Sequence, residues 1–197
     1  MNTELGFRIA LAVIGSVYAA IRIYYTRLAI RSDRNFFRPR NDFRQLAFGT
    51  LGFLIIVPVV VYIFAPEQIA WAALPLRAGW RWFGVGLGLA GIFLLLWVHH
   101  TLGKNFAVPA VAKERQTLVT VGPYRWVRHP MYTALFLVTV VYFLISANGF
   151  IGVTWIGWIV GTVASMVRDE EAVLIEKFGD EYRAYMRRTG RFLPRVR

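Results

Sequence analysis

The sequence of 197 residues contains no cysteine. The chain therefore has no disulfides, no thiolate metal sites and no cysteine nucleophile. Acidic residues are also scarce, because 11 Asp and Glu stand against 23 Lys and Arg, for a formal net charge of +12. An H-E-x-x-H motif and a legible Ser-His-Asp arrangement are absent as well, which leaves hydrolysis with little support. We predict no metal site.

Apolar residues are abundant instead, at 57% of the chain, and 16% of the residues are aromatic. A soluble domain has about 45–50% apolar residues, so the excess favours a membrane protein. A transmembrane helix needs about 20 mostly apolar residues. Five segments meet this requirement: residues 5–25, 46–65, 80–98, 131–147 and 149–167. We therefore predict an all-α polytopic protein, in which residues 1–197 form a single membrane domain with five transmembrane helices.

Single residues refine these segments. Arg8 and Arg22 lie near the ends of the first, where long basic side chains can reach the membrane surface. Pro58 predicts a kink in the second. Only Asn148 separates the fourth from the fifth, which predicts a tight antiparallel hairpin. The opening MNTELGF lacks the features of a cleaved secretory signal, so we expect the first segment to be retained as an anchor.

Basic residues cluster in three parts of the chain. Residues 28–45 and 101–130 hold five Lys and Arg each, and the tail, residues 168–197, holds eight. Cytoplasmic loops of membrane proteins are enriched in Lys and Arg, so we expect all three parts to be cytoplasmic and the N-terminus to be outside. Contacts with anionic membrane lipids account for this charge, and we do not expect nucleic-acid binding.

The tail also has apolar residues at helical spacing among its charges. They are Val173, Leu174, Phe178, Tyr182 and Tyr185. This pattern predicts a cytoplasmic amphipathic helix that lies against the membrane face and ends near Gly190.

Two patterns match known ligand sites but have simpler explanations. GLGLAG at residues 86–91 fits G-x-G-x-x-G, which binds dinucleotides at a strand-to-helix turn. Here it lies inside an apolar segment, so we interpret it, with Gly84 and Gly88, as a place where helices pack closely. His99 and His100 resemble metal ligands, but neighbours on a helix point about 100° apart. We expect them to be an interfacial, structural pair.

A dense polar segment, GPYRWVRHPMYTA at residues 122–134, lies between apolar stretches. Residues before proline are pushed out of helical geometry, so Gly122 and His129, each followed by proline, predict an irregular backbone. Beside a membrane, such a backbone has to be covered by protein or water. By composition, the polar segment forms either a binding pocket or a turn whose arginines contact lipid phosphates.

Two adjacent carboxylates, Glu170 and Glu171, directly follow the last predicted span. Acidic residues oppose the helix dipole at a helix C-terminus. Beside an arginine-rich loop, the pair predicts either a cationic ligand or ion pairs with Arg125, Arg128 or Arg168.

Residues 102–194 combine four elements: L-V-T-x-G-x-Y-x-x-x-R-H-P-x-Y, the Glu pair, F-G-x-E-Y-x-x-Y and a late proline. Together they resemble the C-terminal half of the isoprenylcysteine carboxyl methyltransferase family and, more loosely, the phospholipid N-methyltransferases. The resemblance implies methyl transfer from S-adenosylmethionine, with S-adenosylhomocysteine as the product, in a cytoplasmic-side pocket without a Rossmann domain. It also implies a lipophilic or prenylated substrate that arrives through the bilayer.

The family's cofactor-contacting positions carry over to matching residues of this sequence. They are Gln116, Thr117, Leu118, Val119, Gly122, Tyr124, His129, Pro130, Met131, Tyr132, Glu170 and Glu171. The family commonly has His where Gln116 stands. Arg168 and Arg128 are the candidate catalytic residues.

One departure from the family leaves the methyl acceptor open. Family members that methylate carboxylates have an arginine four residues before the first Glu, where this sequence has Met166. Arg168 is about 200° away around a helix, so the acceptor is a carboxylate, an amine, a thiol or a hydroxyl. A lipid amine N-methyltransferase is therefore an alternative. An NADPH-dependent sterol-type reductase and a non-catalytic membrane protein are further alternatives.

Overall fold

The computed structural model describes residues 3–32, 43–103 and 117–195. Within them the chain forms six α-helices and no β-strand, which confirms the predicted all-α fold. The helices are α1 (Thr3–Ser32), α2 (Phe43–Leu54), α3 (Ile56–Phe64), α4 (Ala78–Leu102), α5 (Pro130–Ser146) and α6 (Gly149–Arg188). Short 3-10 turns at Pro66–Ala72 and Gly122–Arg125 precede α4 and α5.

Three of these helices, α1, α4 and α6, are long and apolar enough to cross a membrane. Residues 49–64 and 66–72 add a fourth candidate only when they are taken together, because the chain bends by 111° between them. Helix α5 is apolar but has 17 residues. The described helices therefore support a membrane protein, and five separate spans remain a prediction.

The second predicted span, residues 46–65, is interrupted. Helix α2 ends at Leu54 and α3 begins at Ile56. Pro58 has no N–H to donate to the carbonyl of Leu54, and its ring crowds that carbonyl. The helix is interrupted at Ile55, where this missing bond would have been, although Ile55 keeps helical φ and ψ angles. The kink that Pro58 predicts stays a prediction.

Helix α1 continues to Ser32, beyond its predicted end at residue 25. Arg22 therefore lies well inside the helix, and its Nη1 donates to Sδ of Met131 at 3.5 Å. The prediction that Arg22 lies near the helix end was wrong. Arg8, near the other end, donates through Nε to the carbonyl of Ile63 at 2.7 Å. Both arginines thus contact neighbouring helices.

Helices α5 and α6 form the predicted tight hairpin. Ala147 adopts the left-handed conformation, with φ of 50°. Asn148 then caps α6, because its Oδ1 accepts the N–H of Ile151 at 3.1 Å. We call this end of the bundle the hairpin end. The opposite end, where α5 begins, holds the polar segment and is called the polar end.

A hydrogen-bond network ties the helices together at the hairpin end. Arg81 of α4 donates to the two carboxylate oxygens of Glu4 at 2.7 and 3.0 Å and to the hydroxyl of Tyr62 at 2.8 Å. It also donates to the carbonyl of Ile145 at 2.9 Å. The network joins α1, α3, α4 and α5 beside a cleft of about 350 Å³.

The glycines of α4 lie where neighbouring helices come closest. A Cβ added at Gly84 would be 2.8 Å from Cβ of Leu144, and one at Gly88 would be 2.8 Å from a methyl group of Ile14. Larger side chains at these positions would separate α4 from α5 and α1. These contacts support the interpretation of the glycine-rich stretch as a packing surface.

Helix α6 runs from Gly149 to Arg188, with a kink at Gly179. The predicted boundary between a span ending at residue 167 and a separate tail helix was therefore wrong. Neither proline nor glycine interrupts residues 168–178, so the charged tail continues the apolar helix. The kink falls at Gly179 because its φ of 53° suits glycine better than other residues. The helix ends at Arg188, as predicted.

Candidate active site

The polar segment pairs through its backbone with residues 189–192, which we call the strap. The N–H of Arg128 donates to the carbonyl of Gly190 at 2.9 Å, and the N–H of His129 donates to the carbonyl of Arg191 at 3.0 Å. The strap follows α6 directly. Protein thus covers the irregular backbone beside Pro130.

Glu171 is the centre of a buried hydrogen-bond network. Its side chain is 6% exposed. Oε1 accepts from Nε of Arg128 at 3.0 Å and lies 3.2 Å from Nε2 of His129. Arg191 of the strap adds an ion pair to the same carboxylate. One side chain therefore joins α6, the polar segment and the strap.

Arg128 extends this network to the backbone. Its Nη1 donates to the carbonyl of Thr189 at 2.6 Å, and its side chain is 9% exposed. Of the three arginines considered from the sequence as partners of the Glu pair, Arg128 pairs with Glu171, whereas Arg125 and Arg168 are exposed. These contacts favour a positioning role for Arg128.

The partners of Glu171 hold it in the ionised form. Burial by itself raises the pKa of the Glu171 carboxyl. Hydrogen bonds from His129, Arg191 and Arg128 outweigh that effect and hold the pKa at about 2. Removing one partner of such a buried pair leaves a charge uncompensated and is strongly destabilising. We therefore assign Glu171 to the support of the fold.

Glu170 has different surroundings, because adjacent residues point about 100° apart on a helix. The hydroxyl of Tyr132 donates to its Oε1 at 2.8 Å, and Nδ1 of His129 lies 3.6 Å from its Oε2. Burial raises the pKa of the Glu170 carboxyl, and the Tyr132 hydrogen bond and His129 oppose part of that shift. The side chain is 24% exposed. Glu170 is thus the more accessible carboxylate of the pair.

His129 lies between the two glutamates and is itself buried. Its φ of −123° and ψ of 58° are non-helical, as expected for a residue that precedes proline. This conformation starts α5 at Pro130 and leaves the imidazole within 3.2 Å of Glu171 and 3.6 Å of Glu170. The R-H-P-x-Y sequence and the Glu pair, 38 or more residues apart in the chain, therefore meet in space.

Tyr124 is buried in the 3-10 turn of the polar segment. Burial raises the pKa of its phenol. Its carbonyl accepts a hydrogen bond from the hydroxyl of Tyr185 at 2.6 Å. Tyr185 and Tyr182 are the two tyrosines of F-G-x-E-Y-x-x-Y, and both are buried on α6 beyond Gly179. This motif packs the last part of α6 against the polar segment.

The remaining cofactor-binding candidates lie before this turn or at its start. Gly122 has a positive φ of 58°, and a Cβ there would be 2.6 Å from Oγ1 of Thr101 at the end of α4. Residues 117–119 form a non-helical stretch before the turn. Gln116 lies outside the described residues. Met131 is in the first turn of α5, next to Arg22 of α1.

Sequence reasoning missed Arg191 and Thr189. Arg191 pairs with a glutamate 20 residues earlier, and no local pattern links the two. The one available signal was the late proline, Pro194, which indicated that residues near the end of the pattern belong to it. The strap could therefore be suspected from the sequence, but not its partners.

The two adjacent histidines of α4 separate into different environments. His99 is buried, its Nδ1 lies 2.9 Å from the carbonyl of Leu95, and its ring packs on Tyr25 with 4.7 Å between centroids. His100 is exposed. In the part of the chain that the structure describes, no cluster of three potential metal ligands occurs. His99 therefore contributes to the packing of α4 on α1.

Comparison with known proteins agrees with this geometry. Residues 84–176 match the model of the isoprenylcysteine carboxyl methyltransferase family. The match runs from α4 through the polar segment and α5 and into α6 beyond the Glu pair.

Curated relatives match as well, and each is named protein-S-isoprenylcysteine O-methyltransferase. The Rattus norvegicus protein is 29% identical over 136 residues, which cover 68% of this chain and 48% of the relative. The Homo sapiens protein is 30% identical over 139 residues, which cover 68% of this chain and 46% of the relative. The Dictyostelium discoideum protein is 30% identical over 100 residues, which cover 49% of this chain and 41% of the relative. The chain spans about half the length of the curated relatives it matches. It belongs to the isoprenylcysteine carboxyl methyltransferase family.

Proposed function

We propose that this chain is an integral membrane methyltransferase that uses S-adenosylmethionine and acts on a lipophilic acceptor, most like isoprenylcysteine carboxyl O-methylation. The observation that carries the proposal is the division of labour between the adjacent glutamates. Glu171 binds Arg128 and Arg191 and supports the strap. Glu170 is more exposed and lies beside Tyr132 and His129, where a cationic ligand can reach it.

The charges of the methyl donor fit these residues. S-adenosylmethionine carries an ammonium group and a ribose diol, and an ionised Glu170 can pair with the first or accept from the second. The non-helical backbone of residues 117–121 offers N–H and C=O groups for the edge of the adenine. We propose that the donor binds between the polar segment and α6, with Tyr132 and His129 orienting Glu170.

When bound, the donor supplies an electrophilic methyl group on sulfur. Held between the polar segment and α6, the donor would supply this methyl group to an oxygen of a carboxylate acceptor, and its sulfur would leave as a thioether with the bonding electron pair. An ionised carboxylate has no proton to lose, so this step needs no general base. The residues of the chain then contribute by holding both reactants at attack distance, which is a large share of the advantage of oriented reactions.

The two candidate catalytic arginines take different roles in this proposal. Arg128 is a positioning residue, because its guanidinium binds Glu171 and the strap. Arg168 lies exposed on α6, two residues before Glu170. We propose that Arg168 meets the polar end of the acceptor where the site opens at the membrane surface.

We propose that the acceptor reaches the site from the bilayer, between α5 and α6, on the cytoplasmic side. The relatives' names specify an S-isoprenylcysteine protein, and an isoprenyl chain is apolar and partitions into lipid. Large apolar residues such as Phe136 and Val160 are exposed on these two helices. The same helices carry Tyr132 and Glu170 at the polar end.

Methylation of a lipid amine is the second candidate. Met166 is half-buried on α6, at the position where the resembling carboxyl methyltransferases have an arginine. A neutral amine acceptor would not need a cation there. Labelled methyl transfer from S-adenosylmethionine into an S-farnesyl cysteine and into lipid extracts separates the candidates. A methyl ester is released by mild base, whereas an N-methyl group is not.

Ligand titration tests the proposal against the remaining classes. We expect purified protein to bind S-adenosylhomocysteine and not NADPH. Binding of NADPH alone would instead indicate a reductase. Binding of neither ligand would contradict an enzymatic site at the polar end.

A further inference from the structure

Arg22 is a cation inside an apolar helix. It lies in the segment Thr3–Ala29 of α1, which is apolar and long enough to span a membrane. The buried residues of this helix, Phe7, Leu11, Ile14 and Tyr18, mark the face that packs into the core. Arg22 continues that face one turn beyond Tyr18. Ionisable residues at such positions are costly and commonly belong to ligand sites.

The surroundings of Arg22 belong to the proposed active site. Its Nη1 donates to Sδ of Met131 at 3.5 Å. It also lies within electrostatic reach of Tyr132, the residue that donates to Glu170 at 2.8 Å. Three helices therefore bring a cation and an anion close to the same tyrosine. They are α1 with Arg22, α5 with Tyr132 and α6 with Glu170.

We propose that Arg22 binds a carboxylate in the active site. The inference rests on the proposed function, because both reactants of that reaction carry such a group. The methionyl part of S-adenosylmethionine has one, and so does a carboxyl acceptor. A carboxylate can bind a guanidinium through two parallel hydrogen bonds.

The donor is a good match for the pair of charges. An α-amino acid group is a zwitterion, and Glu170 and Arg22 offer it one anion and one cation. A carboxyl acceptor would use only Arg22, which would then replace the arginine that is missing at Met166. The chemistry recognised by Arg22 is the same in both cases, and matched ligands distinguish them.

The test uses two pairs of ligands that differ only in a carboxylate. The first pair is S-adenosylhomocysteine and its decarboxylated analogue; the second is an S-farnesyl cysteine and its amide. Binding of all four to the wild type, Arg22→Met and Arg22→Lys is measured by calorimetry. Arg27→Met is the matched control, because Arg27 is an exposed arginine on the same helix.

We expect Arg22→Met to weaken the carboxylate member of one pair about tenfold or more, the range of a charged hydrogen bond. The partner without a carboxylate should keep its affinity, Arg22→Lys should restore part of the loss, and Arg27→Met should change nothing. The pair affected identifies the source of the carboxylate. Equal changes within both pairs, or none, would overturn the inference. Failure of the wild type to bind S-adenosylhomocysteine would instead overturn the proposed function.

Discussion

The hydroxyl of Tyr185 donates a 2.6 Å hydrogen bond to the main-chain carbonyl of Tyr124. Tyr185 is 2% exposed and lies beyond the kink of α6 at Gly179. The bond therefore fixes the last part of α6 to the polar segment, in the region that Glu171 also holds together. If the donor binds here as proposed, we expect stability and ligand binding to be coupled at this place.

Tyr185→Phe removes this hydroxyl and leaves a buried carbonyl without its donor. Such a loss costs about 1–3 kcal/mol, so we expect a lower midpoint of thermal unfolding and about tenfold weaker binding of S-adenosylhomocysteine. Thermal unfolding in detergent and calorimetry measure the two effects. Tyr24→Phe is the control, since Tyr24 is exposed and should tolerate the change. Unaltered values for Tyr185→Phe would show that the bond does not contribute.

We expect Glu170→Gln to affect ligand binding alone and Glu171→Gln to affect both stability and ligand binding. Glu170→Gln is expected to weaken S-adenosylhomocysteine binding about tenfold and to leave the unfolding midpoint nearly unchanged. Glu171→Gln disrupts a buried ion pair with Arg128 and Arg191, which costs about 3–5 kcal/mol. It should therefore lower stability and binding together. If Glu170→Gln were the more destabilising change, the assignment of the two roles would be reversed.

Ligand binding should depend on pH through Glu170. Because burial raises the pKa of this carboxyl above the ordinary value of 4.5, it gains a proton at a pH above 4.5 and then no longer attracts a cation. Affinity for S-adenosylhomocysteine should fall as the pH is lowered towards this pKa. In Glu170→Gln that part of the pH dependence should disappear. A wild-type affinity that stays constant from pH 8 down to pH 4.5 would contradict a direct contact.

Stability should respond to acid through Glu171. Its pKa of about 2 in the folded chain lies below the value of 4.5 for the unfolded chain, so its contribution is complete above pH 4.5. It is lost as the pH falls from 4.5 towards 2. Unfolding measured over this range should show a steeper loss in the wild type than in Glu171→Gln, and equal slopes would count against the network.

We expect the network at the hairpin end to contribute to the free energy of unfolding and not to the affinity for S-adenosylhomocysteine. Arg81 has an 11% exposed side chain and binds Glu4 and Tyr62. Arg81→Met leaves the Glu4 carboxylate without this partner, and we expect a loss on the order of 3–5 kcal/mol at most, because Glu4 is itself 43% exposed. The S-adenosylhomocysteine affinity of the folded fraction should stay the same. A selective loss of affinity would indicate that the two ends communicate.

The orientation predicted from the basic residues can be tested by labelling, because the natural chain has no cysteine. Val121 at the polar end and Trp71 at the hairpin end are both strongly exposed. In intact cells, an impermeant thiol reagent should label Trp71→Cys and spare Val121→Cys. The opposite result would place the polar end outside.

The helical fold and much of the candidate site were predictable because their signals are local. Apolar runs predict helices, Pro58 predicts the break between α2 and α3, and Asn148 predicts the hairpin. His129 and Glu170 were identified through the motif that they share with a family. In each case the residues that carry the information stand close together or in a fixed pattern.

The features that sequence reasoning missed depend on contacts between residues that are far apart in the sequence. Arg191 looks like any basic residue of a tail until the structure pairs it with Glu171. Arg22 looked like a residue at the end of a span because α1 was expected to stop at residue 25, whereas it continues to Ser32. The tail continues α6 because residues 168–178, although charged, contain no glycine or proline that would end the helix.

The contact between Arg128 and the carbonyl of Thr189 also bears on the order in which the molecule assembles. The two residues are 61 positions apart, and the backbone of Val127 meets Gly190 across a similar distance. Helices and the α5–α6 hairpin form from neighbours in sequence, whereas pairing over long separations must first overcome the entropy of closing the loop. We therefore expect the α5–α6 hairpin to form before the strap docks, and the proposed donor site to be completed only when the strap is in place.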